Sequence, residues 1–259
     1  LTTISLLQSF KPTIEFEDLT YNFVTDFEKF LYESGYQTNT VAKHMKHLKS
    51  FVNAAINKGY IDPNNYAFRR YKIKMKEGKH VFLLPEEMKK LEEVSLTGRN
   101  SCLEHTLDAF LFCCYTGLRY SDFVNLNEKN IVKMDGKLWL IFDSVKTGTE
   151  VKLPLNLLFE GKALTLLQKY QGKWSSFFSI KNNSSVNKEL IRIGKLAKIS
   201  KHFSFHSARH TNATLLIYKG ANITTVQKLL GHKNLATTQI YGEVMGSTII
   251  RDLKKCQKR

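Results

Sequence analysis

Acidic residues are scarce in this chain. Over 259 residues, 23 aspartates and glutamates face 39 lysines and arginines, a formal net charge of +16. An excess of that size suits a polyanionic partner, nucleic acid first, although ribosomal and membrane-surface proteins reach similar values. Long apolar runs are missing as well: nothing approaches the roughly 18 unbroken apolar residues of a membrane span. There is no basic-then-apolar leader, so no export signal is expected and a cytoplasmic location is. Cys102, Cys113, Cys114 and Cys256 lack metal-type spacing, and the middle two fall in the apolar run before Thr116. They read as reduced core residues, with no metal site. Internal repeats and low-complexity tracts are absent. What remains is a 42% apolar chain, enough for a proper core, and long enough for one large or two ordinary domains. It opens on Leu1 rather than methionine, as a trimmed piece of something longer would.

The most informative stretch runs from Ser204 to Tyr241. His206, Arg209 and His210 stand at i, i+3 and i+4, so on a helix they share one face. Two imidazoles and a guanidinium crowded together repel one another unless an anion sits between them. The guanidinium offers planar, bidentate donors that fit a phosphate and stays charged at any working pH. A histidine pair at this spacing also suits a metal, and a buried histidine is commonly just a satisfied core residue. Zinc would need a third ligand, for which only His232 is near, and the arginine inside the pair argues against a cation. On these residues alone the anion reading and the structural reading stand level.

Upstream, Thr116-Gly-Leu-Arg119-Tyr-Ser-Asp122 supplies a second arginine after a glycine turn, with Asp122 placed to orient it. Lys146-Thr-Gly148 sits at the tip of an expected β-hairpin. Downstream come Leu229-Leu-Gly-His232 and then Tyr241. Taken singly, Arg119 reads as a helix cap, Lys146 as a solvated turn residue, and any one of eleven tyrosines as packing. Taken together and in order, they resemble the tyrosine recombinases, the phage and transposon integrases and related site-specific DNA recombinases. The resemblance covers roughly Phe82 to Arg251 and, more loosely, the N-terminal part, and it is nearest to integrases of mobile or conjugative transposons. Two departures stand out: Phe205 where proline often precedes the histidine, and Gly242-Glu243 where a histidine often follows the tyrosine.

The expected fold is mainly α with a small antiparallel β-sheet. Asp18 to Ser34 and Asn39 to Lys58 read as helices, the second with one narrow apolar stripe of Val41, Met45, Leu48, Val52 and Ala55. Its other face carries Lys43, Lys46, His47, Ser50, Asn53 and Asn57 without an acid. A solvated surface accounts for such a face, but the missing acids favour DNA backbone contact. Arg69, Arg70, Lys72, Lys74, Lys76 and Lys79, set against Glu77 alone, read as a basic connector. Beyond it, Pro85 opens a helix and Ser101 to Tyr115 is apolar and central. Asp135-Gly136 joins two strands, 131–134 and 138–142, with a third at 150–153. Helices follow at about 157–170, 186–196, 207–219 and 223–230, then a short amphipathic piece, 235–240, and a last helix at about 243–255.

The resemblance implies a two-domain DNA clamp: a helical core-binding, SAM-like domain at 1–71, a linker at 72–80, and a catalytic domain at 81–259. It implies that Tyr241 attacks a backbone phosphate to give a 3′-phosphotyrosyl intermediate and a free 5′ hydroxyl, with no ATP. Phenols ionise near pH ~10, so help is needed, and His206 is the implied base or hydrogen-bond partner. Arg119 and Arg209 would hold the non-bridging oxygens, Lys146 would protonate the departing oxygen, and His232 would donate to a phosphate oxygen. His210 is left as structural, bonding the backbone of its own helix. No cofactor or metal is implied, because the arginines neutralise the charge. The implied partners are double-stranded recombination sites, a homo-tetramer formed on DNA through a Holliday junction, and, in some members, an accessory DNA-bending protein. The apolar Ile249, Ile250 and Leu253 would serve either the chain's own core or a neighbour, and an arm-binding domain would precede Leu1. Rival readings are a type IB topoisomerase, a DNA-binding module with a decayed site, and a phosphate-ester hydrolase.

Overall fold

The computed structural model describes residues 2–76, 78 and 80–241. Its internal contacts divide the chain into two units, Leu1–Lys79 and His80–Arg259.

The first unit is built on threonine caps. Thr2 starts α1 (Thr3–Phe10) by accepting the Ser5 N–H, and Thr20 starts α2 (Tyr21–Glu33) by accepting the Phe23 N–H. That second cap explains why α2 begins later than the expected Asp18: Phe16–Asp18 form a separate 3₁₀ turn. In α3 (Thr38–Asn57) the stripe of Val41, Met45, Leu48, Val52 and Ala55 is buried throughout. It packs with Leu6, Val24, Phe27 and Leu31, and burying each such large side chain contributes about 1.5–3 kcal/mol.

Lys43, Lys46 and His47 are exposed on the opposite side of α3, though two of them already have local partners. The Lys46 ammonium lies 3.0 Å from Met75 Sδ, and His47 Nδ1 is 2.8 Å from Thr3 Oγ1. Arg69 donates to the Pro63 carbonyl. Arg69, Arg70, Lys72 and Lys74 all face solvent. The basic stretch read as a connector is anchored over its first half: Tyr71 and Ile73 pack on the unit's core. Asn39 brackets Lys76 with two side-chain bonds to its backbone, both 2.9 Å. Alternating apolar residues within the basic run account for this anchoring.

The second unit opens with α4 (Pro85–Glu93), where the Glu87 carboxylate accepts the Leu84 N–H. Next comes α5 (Glu104–Thr116), whose residues from Thr106 onward are all buried. A helix apolar on every side has to be central, and α5 packs against α4 and against four later helices, α7 (Lys162–Lys169), the short α8 (Trp174–Phe178), α9 (Asn183–Leu196) and α10 (Phe205–Tyr218). After α6 (Tyr120–Phe123) the chain forms β1 (Ile131–Met134), β2 (Lys137–Asp143) and β3 (Glu150–Pro154). They make an antiparallel meander in the order β1-β2-β3, with Met134 paired to Lys137 and Asp143 to Glu150. Asp135 and Gly136 both take positive φ, the conformation of a type I′ hairpin turn.

The remaining helices are α7 (Lys162–Lys169), α8 (Trp174–Phe178), α9 (Asn183–Leu196), α10 (Phe205–Tyr218), α11 (Ile223–Leu230) and α12 (Ala236–Gln239). Phe205, the departure from the family pattern, is a core ring, edge-on to Tyr120 and Phe110 and 1% exposed. Cys113 and Cys114 are buried, whereas Cys102 is exposed. Among the described residues no helix is long and apolar enough to cross a membrane. The expected last helix, 243–255, with its Ile249, Ile250 and Leu253, lies outside the described residues, as does Cys256.

Candidate active site

Gly117 ends α5 in the left-handed region at φ +76°, and no other residue fits there. A β-carbon would stand 2.6 Å from Leu230 Cδ2 and 2.8 Å from Asn212 Oδ1. The sharp turn delivers Arg119 to the start of α6. There its guanidinium donates to Ser144 Oγ at 3.0 Å and lies 3.5 Å from the Asp122 carboxylate. Asp122 is buried and also accepts the Val145 N–H at 2.9 Å. Its carboxylate therefore orients Arg119, as the i, i+3 spacing predicts, and at the same time pins the β2–β3 turn. Within that turn Ser144 bonds Thr149 and Gly148 through the backbone. Lys146 is left exposed at the tip. Thr147 reaches the Gly231 carbonyl at 3.4 Å, which ties the turn to the segment carrying His232.

Arg209 lies on α10 and is 3% exposed. It has no carboxylate partner among the described residues. One terminal nitrogen donates to the Gly117 carbonyl at 2.8 Å and the other to the Leu230 carbonyl at 2.5 Å. Both carbonyls belong to helix C-terminal ends, where the backbone dipole favours a cation. Burial, followed by the neighbouring Arg119, lowers the Arg209 pKa from 12.5 to about 10, so it remains charged at neutral pH. Two of its five N–H donors are used in these bonds, which leaves three.

Gly231 closes α11 at φ +61° and turns the chain into His232. The His232 Nδ1 is bonded to Thr238 Oγ1 at 2.8 Å, which leaves Nε2 available. Burial, then Arg209, Arg119 and Lys146, push its pKa down to about 4. Tyr241 is 5% exposed and packs against Ala213, Ile217, Val226 and Leu230. Its phenol is pushed above the ordinary value by burial, while Arg209 and Arg119 pull it the other way.

His206 is exposed. Desolvation on its inner side, then Arg209, Arg119 and Lys146, hold its pKa below 6.5. The hydroxyl of Tyr241 is bonded to Nδ1 of His210 at 3.0 Å. This revises the reading of His210 as bonding its own helix backbone, and it puts His210, rather than His206, on the phenol in this structure. The only sequence sign of it was the i, i+4 spacing to His206. Ser144 and Thr238, which orient Arg119 and His232, carried no sequence signal. Lys43, Lys46, His47, Arg69, Arg70, Lys72 and Lys74 belong to the first unit, and the cluster to the second.

Arg119, Lys146, His206, Arg209, His232 and Tyr241 are thus electrostatically coupled, each perturbing or perturbed by others of the set. Among the described residues the only carboxylate ion-paired to them is Asp122. A group of donors with so little negative charge is arranged to receive an anion.

The cluster also sets an acid limit on stability. His210 falls from 6.5 to about 3 and His232 to about 4. Both are therefore neutral in the folded protein, whereas in the unfolded chain they bind protons once the pH drops below 6.5. Their contribution is complete above that value and shrinks on acidification, by about 1.4 kcal/mol per pH unit for each fully excluded proton. The melting temperature should fall between pH 7 and pH 5, and the slope should flatten in a His210→Asn/His232→Asn double variant. An equal slope in the two proteins would place the effect elsewhere.

Comparison with known proteins gives the family. Residues 81–246 match the Phage integrase family and residues 1–74 the Phage integrase SAM-like domain. The chain belongs to the phage integrase family, the tyrosine recombinases. It is 30% identical over 241 residues to tyrosine recombinase XerC of Oceanobacillus iheyensis, taking in 88% of this chain and 77% of the relative. A tyrosine recombinase of Pseudothermotoga lettingae is 30% identical over 237 residues, covering 90% and 80%. Among solved structures, a lambda integrase (75–356) dimer bound to a COC′ core site superposes with a TM-score of 0.77 at 19% identity, over 94% of this chain and 87% of that one. The Tn1549 transposon integrase in complex with transposon right end DNA gives 0.71 at 16% identity, over 97% and 91%. At such identities the structural likeness shows the fold.

Proposed function

We propose that this chain is the integrase of a mobile element, cutting and rejoining DNA at specific sites through a 3′-phosphotyrosyl intermediate and a Holliday junction. The Tyr241 oxygen forms a bond to phosphorus as the bond from phosphorus to the 5′ oxygen breaks. The phenol proton leaves toward His206, the exposed histidine of α10. Lys146 gives a proton to the departing 5′ oxygen. Arg119 and Arg209 hold the non-bridging oxygens, where charge accumulates in the transition state, and His232 donates from Nε2. The phosphoester free energy is kept in the phosphotyrosine, so the reverse attack by a 5′ hydroxyl needs no ATP.

Lys43, Lys46, His47, Arg69, Arg70, Lys72 and Lys74 would meet the phosphate backbone and supply affinity that weakens with salt. In this reading residues 1–71 grip DNA, 72–80 join the parts and 81–259 do the chemistry. The working form is a homo-tetramer on two duplex sites, assisted where the element requires it by a DNA-bending protein. The observation carrying this reading is the buried guanidinium of Arg209, held by two helix-end carbonyls with no carboxylate partner among the described residues, in the same cluster as the Tyr241 phenol.

The test is incubation with duplex carrying the element's own junction sequence, nicked beside the cleavage point so that the short fragment bearing the freed 5′ hydroxyl diffuses away. A protein–DNA adduct should accumulate on a denaturing gel in the presence of EDTA and without ATP, joined through the DNA 3′ phosphate. A two-site substrate should yield four-way junctions. Turnover without an adduct, or relaxation without strand exchange, would point instead to a hydrolase or a topoisomerase.

A further inference from the structure

Three imidazoles, His80, His210 and His232, stand around the Tyr241 phenol, and one of them touches its oxygen. His210 Nδ1 lies 3.0 Å from the hydroxyl, and both side chains are buried. The His210 ring is itself fixed on two sides. His80 lies against it with ring centroids 4.7 Å apart, and His206 meets it edge-on at 4.6 Å and 86°. The phenol is held by other rings too: His232 runs parallel to it at 6.4 Å and 9°, and His80 stands at 6.4 Å. Stacking restrains the plane of the phenol but leaves the direction of its O–H free. A single directed bond sets that direction.

The protonation states agree with this picture. Burial, then His206, His80, Arg209 and His232, hold His210 neutral, and burial keeps the proton on the phenol. The hydroxyl must therefore donate, Nδ1 must accept, and the ring hydrogen sits on Nε2. A donated proton points one lobe of the oxygen at His210 and leaves the lone pairs turned elsewhere, as an attacking oxygen requires.

We propose that His210 is the positioning residue of the nucleophile: its Nδ1 holds the Tyr241 hydroxyl in the orientation from which the oxygen attacks phosphorus. This rests on the recombinase reading above and adds to it a residue outside the two arginines, the lysine and the two histidines to which roles were given. It also separates the work of the two histidines on α10, with His210 orienting the phenol and His206 receiving its proton as the bond to phosphorus forms.

The experiment measures single-turnover adduct formation on the nicked junction duplex, alongside duplex affinity and melting temperature. It uses His210→Asn, His210→Gln and His210→Leu. An asparagine amide falls where Nδ1 is, and a glutamine amide falls where Nε2 is. The leucine and glutamine variants should form adduct roughly tenfold or more slowly at unchanged duplex affinity, the rate equivalent of about one lost hydrogen bond to a reacting group. The asparagine variant should stay within about threefold of the parent chain, far less than the loss of that bond would cost. The asparagine–glutamine contrast decides the matter even if the leucine variant fails to fold, because both amides are polar. Equal loss in asparagine and glutamine would mean that the ring acts only as packing. A faster rate in leucine would mean that the bond restrains the tyrosine, and an unchanged rate that it does nothing; each overturns the inference. If the parent chain gives no adduct at all, the recombinase reading fails first.

Discussion

Tyr241→Phe should form no covalent adduct while remaining folded and able to bind duplex. The substitution removes one oxygen. The ring keeps its contacts with Ala213, Ile217, Val226 and Leu230, so the packing survives. What is lost is the bond to His210, whose buried Nδ1 is left without its donor. A buried acceptor deprived of its partner costs about 1–3 kcal/mol, which lowers the melting temperature without unfolding the chain. The chemical effect is of another order, because without the oxygen no bond to phosphorus can form. Adduct that persists in the phenylalanine variant would assign the nucleophile to another of the chain's tyrosines. A variant that still folds and binds duplex, melting only modestly earlier, but forms no adduct is the outcome that ties the chemistry to this oxygen.

Arg209→Ala should slow adduct formation by ~10²–10³-fold, the usual effect of removing one charged donor from a developing oxyanion. Here the loss is compounded. The guanidinium bridges the Gly117 and Leu230 carbonyls, and so joins the turn bearing Arg119 to the segment bearing His232. Alanine would leave both carbonyls unbonded and loosen both segments, adding a fall in stability. Arg209→Lys separates the two contributions. It restores a charge, but as a point donor that cannot span both carbonyls and still face a phosphate. The lysine variant should therefore recover less than about tenfold of the lost rate. Single-turnover kinetics paired with thermal melts read both quantities. An alanine variant that melts early but cleaves at the parent rate would reduce Arg209 to a strut.

Much of this was legible from the chain because the relevant signals are local. Asp135-Gly136 marks a hairpin since those two residue types enter positive φ readily, and β1 and β2 flank it as expected. Gly117 marked the turn that presents Arg119 for the same reason, whereas the left-handed cap at Gly231 emerged only with the fold. Other features depend on distant neighbours. Phe159 and Glu160 adopt positive φ without a glycine or proline to announce it, and break what read as one helix from 157 to 170. The α8 helix has five residues, too few to display a period. The partner of His210 lies 31 positions away and is brought to it only by the fold. The Asn39 bracket on Lys76 spans 37 positions and was equally invisible.

Arg209 and its company of cations have a consequence for binding. Burial first, and the crowding of positive charge from Arg119, Arg209 and Lys146 after it, hold down the basicity of Arg209, His206 and His232, and the charge crowding is a standing penalty in the free protein. A phosphodiester entering the cluster removes that penalty, and the relief reappears as affinity. The protein has in effect exchanged some of its own durability for a tighter grip on the strand it cuts. Natural stabilisation of the free chain by an extra acidic residue here would therefore weaken its hold on DNA.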